Sequence, residues 1–79
     1  LLIQLNGDNR ELPNGSSLED LVRELSLTPQ RVAIELNRTV VRRDQWAQTI
    51  LNEGDRVEIV HFVGGGTLSE AHRKGALHS

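Results

Sequence analysis

The sequence predicts an α+β domain in which a mixed sheet of four to five strands packs on one short helix. Only one stretch of the chain has helical periodicity, while several short stretches alternate as strands do or are apolar runs closed by turn residues. The 79 residues set the scale, because a chain of this size buries only about 60% of its unfolded surface and so builds one modest core.

Leu1-Leu2-Ile3-Gln4-Leu5 is an apolar run with partial alternation, and Asn6-Gly7-Asp8 closes it with a strong reverse-turn signal. Arg10-Glu11-Leu12 supplies the returning arm of a hairpin, kept short by Pro13, which lacks a donor for the ladder, and by the turn at Asn14-Gly15. Ser17 followed by Asp20 nearly matches a capping box, and Leu18, Leu21, Val22 and Leu25 recur on one face of a helix of about eight to ten residues. Ser26-Leu27-Thr28-Pro29 is expected to end that helix, with Pro29 biasing Thr28 away from helical angles.

Val32, Ile34 and Leu36 alternate with Ala33 and Glu35 in a half-buried strand, and Asn37-Arg38 turns the chain into a second short strand at Val40-Val41. The stretch from Arg42 to Trp46 has no clear period; it is read as a turn, or a single helical turn, that lets Trp46 cover one end of the core. Gly54 offers a positive φ before the last and strongest strand, Arg56 to Val63. In that strand Val57 and Ile59 share a face with His61, and Val60 and Phe62 share the other. One short helix covers one side of such a sheet, so Val60 and Phe62 are expected on a partly open side where they form a docking patch. Arg42 and Arg43 are candidates for pairing with acidic groups of a partner.

Composition removes several classes of function. The chain has no cysteine, which excludes a disulfide staple, a zinc ribbon and a persulfide on its own thiol. A formal charge of -2 without a basic cluster argues against nucleic acid, and no apolar run reaches the roughly 18 residues of a membrane span, so a cytoplasmic location is expected. His61 has no cysteine or second histidine at ligand spacing, and His72 and His78 make no convincing metal site. Ser16, Ser17 and Thr28 suit cap and turn roles. No intrinsic catalysis and no bound cofactor are expected.

Gly64-Gly65-Gly66 is the most informative stretch. Three glycines directly after an apolar strand have no side chain to pack, so they fit either a linker or a terminus that threads a channel too narrow for any Cβ. Residues 1–63 are accordingly read as the folded domain, 64–66 as a flexible arm, and 67–79 as a disordered tail, which carries the only lysine and shifts the charge balance.

Ala33-Ile34-Glu35-Leu36-Asn37, Val40-Val41-Arg42-Arg43-Asp44-Gln45-Trp46 and Glu53-Gly54-Asp55-Arg56-Val57-Glu58-Ile59, leading to Val63-Gly64-Gly65-Gly66, together resemble the ThiS sulfur-carrier family of the ubiquitin-like β-grasp superfamily. The resemblance covers residues 1 to 66. It implies a β-grasp fold and a role in making the thiazole moiety of thiamine, with Gly66 as the residue to which sulfur is attached. The carrier would use ATP bound by a ThiF-like adenylyltransferase, sulfur from a cysteine desulfurase, and a ThiG-like thiazole synthase as acceptor. A MoaD-like carrier for molybdopterin synthesis and a non-carrier adaptor of the same fold are the alternatives. Thr67 to Ser79 depart from the family pattern: while the Gly66–Thr67 amide is intact, Gly66 has no carboxylate to activate.

Residues 1 to 66 hold seven arginines against ten acidic residues, a net charge of -3. A more basic docking region is therefore expected on at least one partner.

Overall fold

The computed structural model describes residues 1–62 and, for the backbone alone, residues 71–72. The expected arm at 64–66 and the remainder of the tail lie outside the described residues.

Two turns whose central residues both have positive φ shape the sheet. Asn6 (φ 50°) and Gly7 (φ 90°) join β1, Leu2–Leu5, to β2, Asp8–Glu11. Asn37 (φ 51°) and Arg38 (φ 73°) join β3, Val32–Leu36, to β4, Thr39–Val41. Turns of this hand match the right-handed twist of the strands they connect, and Asn tolerates the conformation better than other residues with a Cβ. The last long strand, β5, is Arg56–Phe62. The strand order is β2-β1-β5-β3-β4, with a two-residue strand β6, Ala71–His72, also paired to β5. The β1–β5 pair is parallel and every other pair is antiparallel. The expected sheet of four to five strands thus forms as five, with β6 added beside the central one.

The helix α1 spans Leu18–Glu24. The capping box is complete: the Asp20 N–H donates to Ser17 Oγ and the Ser17 N–H donates to Asp20 Oδ2, both at 3.0 Å. The connector after Trp46 takes another of the helix's free donors, with the Leu18 N–H bonded to the Thr49 carbonyl at 3.0 Å.

The far end of α1 corrects the sequence reading. The helix has 7 residues, shorter than expected, and it stops at the first residue of the expected Ser26-Leu27-Thr28-Pro29 segment, by a device other than Pro29. Ser26 adopts a left-handed φ of 57°, the Ser26 N–H donates to the Arg23 carbonyl, and the Leu27 N–H reaches back to the Val22 carbonyl. This is a Schellman closure with serine where glycine is usual. Pro29 instead opens a 3₁₀ turn, Pro29–Arg31, that leads into β3.

Leu18, Leu21 and Val22 of the helix meet Ile3, Val32, Ile34, Val57 and Ile59 from the sheet. Trp46, within the 3₁₀ segment Arg43–Gln48, is 3% exposed and belongs to the core as expected. Its indole N–H donates to the Val41 carbonyl at 2.9 Å, which satisfies the polar edge of a buried ring. No helix among the described residues is long and apolar enough to cross a membrane.

Candidate functional site

Cross-strand register divides the sheet into two faces. Ile34 opposes Ile59 and Val41, and Leu36 opposes Val57, on the side that carries the helix. The other side carries Leu2, Gln4, Glu35, Val40, Arg56, Glu58, Val60 and Phe62, by the period of two along each strand. Val60 and Phe62 therefore occupy the face expected for them.

Their accessibility differs from the expectation. Val60 is 3% exposed, although it is outside the cluster of core residues, and Phe62 is half-buried. β5 is the central strand, so Val60 has β3 beside it at Ala33 and the longer Glu58 and Phe62 before and after it on the same face. The expectation of an open Val60 side chain is corrected. Phe62, the exposed Leu2 and, on the edge strand, the 64% exposed Val40 are apolar groups this face offers to solvent.

Beside them lies a charged depression of about 350 Å³ lined by Glu35, Arg38, Arg56 and Glu58. Glu35 and Glu58 are direct register partners, a like-charge pairing that costs stability unless cations stand near. Arg38 and Arg56 share the depression and offset it. The strand alternation that puts Glu35 opposite the apolar series is the signal from which this charged patch could have been read.

Arg42 and Arg43 follow β4, which runs in the same direction as β5, so they leave the sheet at the end where Phe62 does. The Arg42 side chain is 82% exposed and its Nε lies 3.8 Å from Asp44 Oδ1, a loose surface pair of little energetic weight. The fold thus brings Phe62 and the two arginines to one end of the sheet, two strands apart. Gly64, Gly65 and Gly66 lie outside the described residues.

One functional contribution was not anticipated at all. The side chain of Asn6 holds the middle of β5, its Oδ1 accepting from the Ile59 N–H at 2.8 Å and its Nδ2 donating to the Ile59 carbonyl at 3.4 Å. At the other end Asn37 Oδ1 accepts from the Arg56 N–H at 2.9 Å, and Asn37 Nδ2 donates to Asp55 Oδ1 at 3.1 Å. Two turn asparagines therefore fix the strand that precedes the glycine run.

Asp20 is held below the ordinary carboxylate value, first by the hydrogen bond from the Ser17 backbone, and further by the Ser17 hydroxyl and Arg23. This belongs to the helix cap. Among the described residues no group of three or more His, Cys, Asp or Glu stands close enough to hold a metal ion.

The model of the ThiS family matches residues 3–66. A thiazole synthase of Magnetococcus marinus is 42% identical over 64 residues, which are 81% of this chain and 20% of that protein. The chain thus spans about a fifth of the length of that relative. The sulfur carrier protein ThiS of Bacillus subtilis is 33% identical over 66 residues, 82% of this chain and 100% of that one. In three dimensions the crystal structure of a thiamine biosynthesis protein, ThiS, from Geobacter metallireducens superposes with a TM-score of 0.73 at 28% identity, covering 84% of this chain and 100% of that chain.

Proposed function

The chain belongs to the ThiS family, and from that membership we propose that it is a sulfur carrier of thiamine biosynthesis whose reactive group is the α-carboxylate of Gly66. The observation that carries this reading is the extent of the family match, which runs from residue 3 through β5 and on to Gly66. The order of elements supports it, since β5 delivers the chain to Phe62 four positions before that glycine.

A carboxylate is a poor electrophile because its departing oxide is unstable. In the proposed sequence the Gly66 carboxylate attacks the α-phosphate of ATP in a ThiF-type adenylyltransferase, pyrophosphate leaves, and the resulting acyl-adenylate has AMP as a good leaving group. The outer sulfur of a persulfide that a desulfurase makes from cysteine then attacks the acyl-adenylate, expelling AMP and forming an acyl disulfide, and a second thiol cleaves its S–S bond, releasing the thiocarboxylate and leaving a disulfide. A ThiG-type thiazole synthase accepts that sulfur. Tethering keeps the nucleophile at high effective concentration beside its acceptor. Glycine suits the end of the arm because no side chain must be accommodated at either partner. The chain is a carrier and not an enzyme: no side chain of its own is asked to catalyse any step. Phe62 and the Arg42–Arg43 pair are the proposed docking groups at the end of the sheet that precedes the glycine run, with Val40 further back on the same face.

The chemistry requires Gly66 to end in a free acid. The test is intact-mass analysis of the 79-residue chain and of a form ending at Gly66, each incubated with ATP, a ThiF-type enzyme and a sulfur source. We expect the Gly66-terminated form alone to gain the mass difference of sulfur replacing oxygen. A gain in neither form, with an active carrier as control, would reject the reading and favour an adaptor role for the domain.

A further inference from the structure

Odd-numbered residues of β5 aim their backbone groups at the flank on which β1 lies. The Asp55 carbonyl, just before the strand, accepts from the Gln4 N–H, and the Val57 carbonyl accepts from the Asn6 N–H, both at 2.9 Å. Ile59 is served next, by the side chain of Asn6, because the backbone there has already turned toward β2. The same alternation points the N–H and C=O of His61 to this flank, where β1 has no residue left to offer.

A strand edge with unpaired donors and acceptors accepts another strand. In this chain that strand is β6, antiparallel, with His61 opposite His72 and Phe62 opposite Ala71. The geometry points to the flank of β5 at His61 as a strand-docking site that β6 fills in cis, and whose release governs access to the end of β5. The pairing spans two residue pairs, as the β1–β5 pairing does, but β1 is also held by four pairs to β2 whereas β6, among the described residues, pairs with β5 alone, and it closes a connection containing three glycines at a cost in chain entropy. It is therefore an exchangeable contact. Its regulatory meaning rests on the carrier reading, because the glycine run begins two residues after Phe62. The pairing itself does not rest on that reading.

Amide hydrogen exchange read by NMR tests the site in the 79-residue chain, in His72→Pro, and in a chain ending at Gly66. Proline at 72 removes the backbone donor opposite His61, and folding is checked by an unchanged Trp46 emission and urea midpoint. We expect the His61 amide of the parent to exchange at least about fivefold more slowly than in either variant, with the Ile59 amide equal in all three. Equal His61 rates would overturn the proposal. For the regulatory part, His72→Pro should bind a ThiF-type enzyme more tightly than the parent by the ratio of their open populations; equal affinities would overturn gating. A protected His61 in a protein whose Gly66-terminated form is never adenylated would retire the carrier reading and leave the docking site standing.

Discussion

The carboxamide of Asn6 closes two hydrogen bonds on the backbone of Ile59, 53 positions further along the chain, and so does the work of one more strand residue after β1 has ended. Its left-handed φ of 50° is what turns the side chain toward β5 instead of continuing the strand. Asn6→Gly retains that backbone conformation and removes both bonds. We expect it to cost about 1–2 kcal/mol by urea denaturation. Asn6→Ala adds the penalty of a Cβ in the left-handed region and should cost about 1 kcal/mol more. A Gly variant as stable as the parent would show that the brace contributes nothing.

The cap of α1 gives a second outcome. Ser17→Ala removes the acceptor for the Asp20 N–H and is expected to lower stability by about 1 kcal/mol. Asp20 has a folded-state pKa below the ordinary 3.8, caused first by the Ser17 N–H. A depressed carboxylate pKa stabilises the fold above 3.8, and that contribution disappears as pH falls from there through the lower folded value. The stability gap between the parent and Asp20→Asn should therefore be widest near neutrality and shrink on acidification below 3.8. A gap that stays constant with pH would remove the charge of Asp20 from the explanation.

Trp46 separates packing from hydrogen bonding. Trp46→Phe keeps most of the buried ring but leaves the Val41 carbonyl without the indole N–H, an expected loss of about 1–2 kcal/mol. Trp46→Ala empties the site and should cost about 3–5 kcal/mol. Denaturant midpoints followed by circular dichroism measure both, since the fluorophore itself is removed. Similar losses for the two variants would mean that the hydrogen bond, and not the ring, dominates.

The arginines at the end of β4 test docking without disturbing the fold. Replacing Arg42 and Arg43 by Glu should leave stability within about 0.5 kcal/mol, as is usual for exposed side chains. Association with a ThiF-type or ThiG-type partner, followed by stopped flow across ionic strength, is expected to slow for the partner that meets this edge, and the difference should fade at high salt. Unchanged rates with both partners would take Arg42 and Arg43 out of the interface.

The elements that were legible before folding are those whose cause is local. Ser17 with Asp20 announced the cap, Asn6-Gly7 the first hairpin, and the alternation of Val57 and Ile59 the buried face of β5; all three recur in the structure. The stop of α1 falls at the start of the Ser26-Leu27-Thr28-Pro29 segment, but its cause was assigned to Pro29, a strong breaker in sequence, whereas the operative device is Ser26 in a left-handed conformation, for which serine gives little warning. The charge-lined depression escaped notice because Glu35, Arg38, Arg56 and Glu58 come from two stretches about twenty positions apart. The burial of Val60 was likewise hidden, since alternation specifies a face and not what stands around it.

By itself, then, the order of residues determined the one helix and the five main strands, the family, and the place of Gly66 four positions after the end of β5, because periodicity, turn chemistry and a contiguous motif act over a few neighbouring residues. Tertiary structure alone decided that Asn6 braces Ile59, that Val60 is covered while Val40 is open, and that the β1 flank of β5 runs out at His61. Those facts depend on which strands lie side by side, and a backbone donor finds its partner through space, across separations that no local pattern encodes.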